Sequence, residues 1–79
     1  MRDRVADTYG PPFFLPHVGV AVRQFTDEIN REDANNMLFK HPEDFDLFQL
    51  GTYDDSVGMV TQDSIPRQLV LGKDCRNGK

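Results

Sequence analysis

The sequence predicts an α+β fold, with one amphipathic helix packed on a small antiparallel β-sheet in the order β-α-β-β-(β). Three observations predict it. Apolar residues recur every three or four positions from Val18 to Ile29; an aromatic-rich run extends from Phe45 to Tyr53; and the turn-forming D-D-S-V-G, Asp54 to Gly58, separates that run from Met59-Val60-Thr61. The 79 residues allow a single small domain with one modest core. At about 0.05–0.15 kcal/mol per residue, its total stability is roughly 4–12 kcal/mol.

Taken in order, residues 1–9 (M-R-D-R-V-A-D-T-Y) alternate loosely and predict an edge strand, with Val5 and Tyr9 on one side and Ala6 and Thr8 on the other. Gly10-Pro11-Pro12 ends it, because two prolines fix φ and remove two backbone donors. Phe13, Phe14 and Leu15 follow as the apolar content of a corner. The helix runs from His17 to Asn30, with Val18, Ala21, Val22, Phe25 and Ile29 on one stripe and Pro16 at its entrance. Arg23 and Asp27 stand i,i+4 on its polar side. N-R-E-D-A-N-N is its exit, and His41-Pro42-Glu43-Asp44 a turn.

In the run from Phe45 to Tyr53, Phe45, Leu47 and Tyr53 face one way and Phe48 and Leu50 the other, which marks a central strand. Asp54 to Gly58 supplies a hairpin turn, with Gly58 free to take positive φ. Pro66 starts a last segment in which Leu69-Val70-Leu71 forms a further strand, and residues 73–79 are a polar tail. A lone cysteine, Cys75, excludes an internal disulfide and reads as an incidental thiol of a reducing cytosol. A chain this small without disulfides invites self-association.

Nine Lys plus Arg against thirteen Asp plus Glu give a net charge of −4, which opposes generic attraction to a phosphate backbone. Nucleic-acid binding would need a local patch. The C-terminal end carries one, Arg67, Lys73 and Arg76, and Tyr9, Phe39 and Tyr53 are the aromatics left to stack bases if at least five of the eight aromatics fill the core. His41, Asp44 and Asp46 form an H-x-x-D-x-D spacing that permits a divalent cation, against a plainer reading in which they frame a turn and a strand. The plainer reading is preferred. No nucleophile elbow, phosphate-cradling glycine loop or catalytic constellation is present, so neither an enzyme nor a cofactor is expected. No apolar run is long enough to span a membrane.

Three blocks carry a resemblance: P-P-F-F-L-P from Pro11 to Pro16, A-V-R-Q-F-T-D-E-I-N from Ala21 to Asn30, and K-H-P-E-D-F-D-L-F-Q-L-G-T-Y-D-D from Lys40 to Asp55. Together they resemble the small nonstructural protein of gokushovirus-type microviruses, tailless phages with circular single-stranded DNA. The resemblance implies a protein made in the host bacterial cytoplasm and absent from the virion. It also implies a part in viral genome replication or single-strand synthesis, with viral single-stranded DNA or a replication or host protein as partner. A reading without any nucleic-acid contact, as a module that modulates a host factor, stands beside it. No catalytic residue is carried over. Relatives begin with a further hydrophobic strand, so residues 1–6 correspond to a truncated first strand, and the sheet edge left open could pair two copies as a homodimer.

Overall fold

A long hairpin organises the molecule. In the computed structural model, which describes residues 1–76, β3 (Phe45–Asp54) and β4 (Met59–Leu71) pair antiparallel. Their turn is the one the sequence predicts. The Gly58 N–H donates to the Asp54 carbonyl at 2.8 Å, and the Asp54 carboxylate accepts from the Ser56 N–H and hydroxyl at 3.0 and 2.6 Å. Gly58 takes φ +68°, a conformation that costs glycine little.

On its other side β3 pairs with β1 (Arg2–Asp3), and β2 (Thr8–Tyr9) folds back on β1, giving the order β2-β1-β3-β4. The first nine residues are therefore a small hairpin rather than a single edge strand. Local turn chemistry overrides the loose alternation: the Asp3 carboxylate accepts from the N–H groups of Val5 and Ala6, and Asp7 turns the chain at φ 57°. β3 is interior, as expected of its first half.

Helix α1 (Val18–Asn30) lies where the periodicity places it, with His17 extended at its N-terminus. Phe25 and Ile29 are buried against Phe45, Leu47 and Cys75, with Ala21 and Val22 packed at the margin. Full burial of each large apolar side chain contributes about 1.5–3 kcal/mol. Val18, expected on the same stripe, stays 42% exposed at the first turn of the helix. Arg23 and Asp27 form no ion pair among the described residues; Arg31 instead binds Glu28 at 2.6 Å and Asp33 at 3.0 Å.

A second short helix, α2 (Met37–Lys40), was hidden in the polar exit of α1. Asn36 creates it. Its side-chain oxygen accepts from the Leu38 N–H, while its amide donates to the carbonyls of Glu28 and Arg31, so one buried residue caps α2 and closes α1. A 3₁₀ turn, Pro42–Asp44, then leads into β3 as the H-P-E-D motif implies.

Three expectations are corrected. Pro66 does not open a new segment but lies inside β4, where the register slips between Gln49↔Arg67 and Gly51↔Gln62; a proline is tolerated there because β4 is an edge strand and bulged. Leu69 to Leu71 belong to that same strand. Cys75 is not in an exposed tail: it is 8% exposed and joins the core, because the 3₁₀ turn Gly72–Asp74 reverses the chain under α1 and Asn30 donates to the Cys75 carbonyl at 2.8 Å. Residues 77–79 of the expected tail lie outside the described residues. Finally, of the eight aromatics only Phe25 and Phe45 are buried, with Phe39 and Phe48 half-buried. The prolines flanking Phe13 and Phe14 hold that segment extended, leaving those rings 54% and 66% exposed.

Candidate functional site

The carboxylates of the Phe39–Gly58 region divide into separate structural tasks. Asp46 is 3% exposed. Its carboxylate accepts from Arg4 Nε at 2.6 Å and from the Gly72 N–H at 3.3 Å, so it ties β1 and the C-terminal turn to the central strand. It therefore does not join His41 and Asp44 as the H-x-x-D-x-D spacing allowed. The side chains that do converge are His41, Glu43 and Asp44, with potential ligand atoms within 4.8 Å of one another. The 3₁₀ turn brings them together, since positions three apart eclipse in that geometry. His41 and Glu43 are exposed, and no hydrogen bond fixes the His41 ring among the described residues; Glu43 is 3.9 Å from its Nδ1. Asp54 serves the hairpin turn, and its hydrogen bonds from Ser56 hold its carboxyl below the usual range.

The residues singled out for nucleic-acid contact are dispersed. Arg67 lies part-way along β4 and donates to the Gln49 side chain at 3.0 Å. Lys73 sits in the turn beyond Leu71. Arg76 folds back on α2, its guanidinium 4.4 Å from the Phe39 ring centroid and bonded to the Phe39 carbonyl. Phe39 therefore already stacks on a cation of its own chain. Tyr9 packs edge-on against Phe48 at 5.7 Å beneath the Arg2 guanidinium, and Tyr53 lies against Phe14 at 5.6 Å. Phe48 and Tyr53 are about 17 Å apart along the strand, so the aromatics do not make one stacking track.

A different surface is assembled instead. Between the Pro12–Val18 segment and the face of β3 and β4 runs a groove of about 620 Å³, walled by Phe13, Phe14, Leu15, Phe48, Leu50 and Tyr53. It continues onto the outer half of the hairpin, where Tyr53, Val57, Met59 and Val60 are each more than half exposed. Leu50, expected to face an interior, opens to solvent here at 38%. From His41 to Pro66 the chain carries Glu43, Asp44, Asp46, Asp54, Asp55 and Asp63 and no Lys or Arg. Sequence reasoning, which left only Tyr9, Phe39 and Tyr53 outside the core, missed this surface.

No helix among the described residues is long and apolar enough to cross a membrane. The family model for the Phage ORF5 protein matches residues 1–75. Protein ORF5 of Chlamydia phage 1 is 36% identical over 58 residues, an alignment covering 71% of this chain and 60% of that protein. The chain thus spans about 60% of the length of that curated relative. No solved structure matches. The match over nearly the whole chain and the gokushovirus-like blocks agree: this chain belongs to the Phage ORF5 protein family, of gokushovirus-type phages.

Proposed function

We propose that this phage protein acts without catalysis, as a protein-binding module serving viral genome replication or single-strand synthesis, and that its partner is a replication or host protein rather than DNA. One observation carries the choice of partner. The groove and the outer hairpin form an exposed apolar surface, and the chain that builds most of it holds no Lys or Arg between Lys40 and Arg67. A phosphate backbone approaching it would meet net repulsion, whereas a protein would cover its rings and aliphatic groups. The cations that could favour DNA are engaged elsewhere or spread over the chain: Arg76 on Phe39, Arg4 on Asp46, Arg67 on Gln49. The link to replication rests on the family resemblance of the three blocks.

The experiment is affinity capture from infected host cells, with and without nuclease, using the wild-type chain and a Phe13→Ser, Phe14→Ser double variant. Both rings are more than half exposed, so the variant is expected to keep the wild-type far-UV circular dichroism, which is measured first. A partner retained through nuclease and lost with the double variant supports the reading. Material released by nuclease, or captured equally by the variant, overturns it.

A further inference from the structure

We infer that the outer half of the β3–β4 hairpin, residues 51–62, is a hinged arm: it swings on the body of the molecule about Gly51 and residues 63–66, opening and closing the groove, and the Gln49 side chain is its latch.

The pairing of β3 with β4 is in fact two ladders. Next to the core, Gln49 opposes Arg67 and Leu47 opposes Val70; next to the turn, Gly51 opposes Gln62 and Asp54 opposes Met59. Between Gln49 and Gly51 lies one residue, Leu50, whereas between Arg67 and Gln62 lie four, Asp63, Ser64, Ile65 and Pro66. Four residues cannot pair with one, so the ladder is interrupted where the arm meets the body. Pro66 has no N–H with which to mend it. Ser64, Ile65 and Pro66 are exposed, so packing does not brace the interruption either.

Burial divides at the same place. Phe45, Asp46 and Leu47 are buried and Phe48 and Gln49 half-buried, whereas every residue from 52 to 62 is exposed. The turn stands about 23 Å beyond Leu47 at a strand's rise per residue. Among the described residues, the ring contact that reaches this arm from the body is Phe14 on Tyr53, at 5.6 Å. A two-stranded ribbon held mainly at its base bends there. On β3 the bend falls at Gly51, which has the widest backbone freedom of any residue. The strands are also pressed together at that point, since a Cβ on Gly51 would lie 2.2 Å from the Thr61 carbonyl oxygen.

The direction of motion follows from the ribbon. A hairpin is stiff in the plane of its hydrogen bonds and bends toward one face or the other. Tyr53 and Val60 are cross-strand partners on one face of the arm, and both wall the groove opposite Phe13 and Phe14. The segment carrying those two rings runs directly into α1 and moves with the body. Bending the arm therefore widens or narrows the groove, a hinge closure of the kind that surrounds ligands elsewhere.

Gln49 spans the interruption. Its amide donates to the Asp63 carboxylate at 3.0 Å, and its side-chain oxygen accepts from Arg67 at 3.0 Å. Asp63 is the first residue beyond the arm and Arg67 the first of the inner ladder, so one side chain ties the two together. Arg67 is exposed, and water replaces these bonds when the arm moves. The motion belongs to the free chain, so it is independent of the partner reading above and is tested with no partner present.

The test is to measure residual dipolar couplings of the backbone amides in the full nitrogen-15-labelled chain, weakly aligned, for the wild type, Gln49→Ala and a deletion of residues 64–66. That deletion leaves Asp63 alone opposite Leu50 and makes the register continuous. Couplings from α1 and from residues 45–49 and 67–71 define the alignment of the body. Those from residues 51–54 and 59–62 are expected to show a smaller alignment magnitude, reduced further by Gln49→Ala and raised to that of the body by the deletion. Body couplings that match the wild type show that each variant is folded, and the wild-type comparison decides alone if a variant is not. One alignment of equal magnitude for arm and body in the wild type overturns the hinge. A folded deletion variant whose arm stays weakly aligned overturns its placement at residues 63–66, and a folded Gln49→Ala variant with the wild-type alignment of the arm overturns the latch.

Discussion

Replacing Asp46 by alanine tests whether the carboxylates build the frame or form a site. Asp46 is 3% exposed and receives hydrogen bonds from Arg4 Nε at 2.6 Å and the Gly72 N–H at 3.3 Å. A hydrogen bond to a charged group is worth about 1.5–3 kcal/mol, and a long neutral donor near the lower end of about 0.5–1.5. The Arg4 side chain is 49% exposed and regains water when its partner is lost, which moves the first figure to its lower end. The Gly72 N–H, buried with its residue, does not. The expected loss is therefore about 2–3 kcal/mol, a large share of the roughly 4–12 kcal/mol a chain of this length has. In urea, with a slope of about 1 kcal/mol per molar, the unfolding midpoint should fall by about 2 M. Arg4→Ala should cost at least as much, because it strands a buried carboxylate, and the double variant should cost less than the two single losses added. Circular dichroism against urea reads all three. An unchanged midpoint for Asp46→Ala, or strict additivity, would show that the pair is not a structural tie.

Two glycines should resist substitution for steric reasons. A Cβ at Gly72 would lie 2.2 Å from the carbonyl oxygens of Phe45 and Pro42, and one at Gly51 would lie 2.2 Å from the Thr61 carbonyl oxygen; each alanine should cost about 1–3 kcal/mol or more, read as a lowered urea midpoint. Ile29 is wholly buried, so Ile29→Val should cost about 0.5–1.5 kcal/mol and Ile29→Ala about 2–5, the second near the whole stability of the chain. Acid should loosen specific joints. Asp54, through Ser56, and Glu28, through Arg31, hold carboxyls below their ordinary values, so their stabilisation is complete above about pH 5 and is lost as pH falls below about 4 through the depressed folded values. Protection of the Ser56 and Gly58 amides, corrected for the intrinsic exchange rate at each pH, should fall over that interval, and Asp54→Asn should remove much of the change.

The elements with strong periodicity were legible in the sequence. Val18 to Ile29 repeats every three to four residues and Phe45 to Leu50 alternates under aromatic weight, so α1 and β3 fall where the pattern places them. What escaped depends on single polar residues acting at a distance. Asn36 makes α2 by bonding carbonyls five and eight residues earlier, and Asp46 meets Arg4 across 42 positions; neither leaves a local pattern. Pro66 misled because proline usually ends a strand, whereas β4 lies at an edge with a bulge to receive it. The candidate surface was missed for a related reason. Composition made the aromatics look like core, but the described core is small and polar tethers do much of the fastening, so Phe13, Phe14 and Tyr53 remain outside.

The preference for a protein partner over DNA is tested most directly by titrating the chain into a labelled single-stranded oligonucleotide and following fluorescence anisotropy from low to physiological salt. An apolar surface on a hairpin without Lys or Arg between Lys40 and Arg67 predicts no saturable binding even at low salt. Tight binding that collapses as salt rises, with a slope flattened by neutralising Arg67, Lys73 and Arg76, would contradict it.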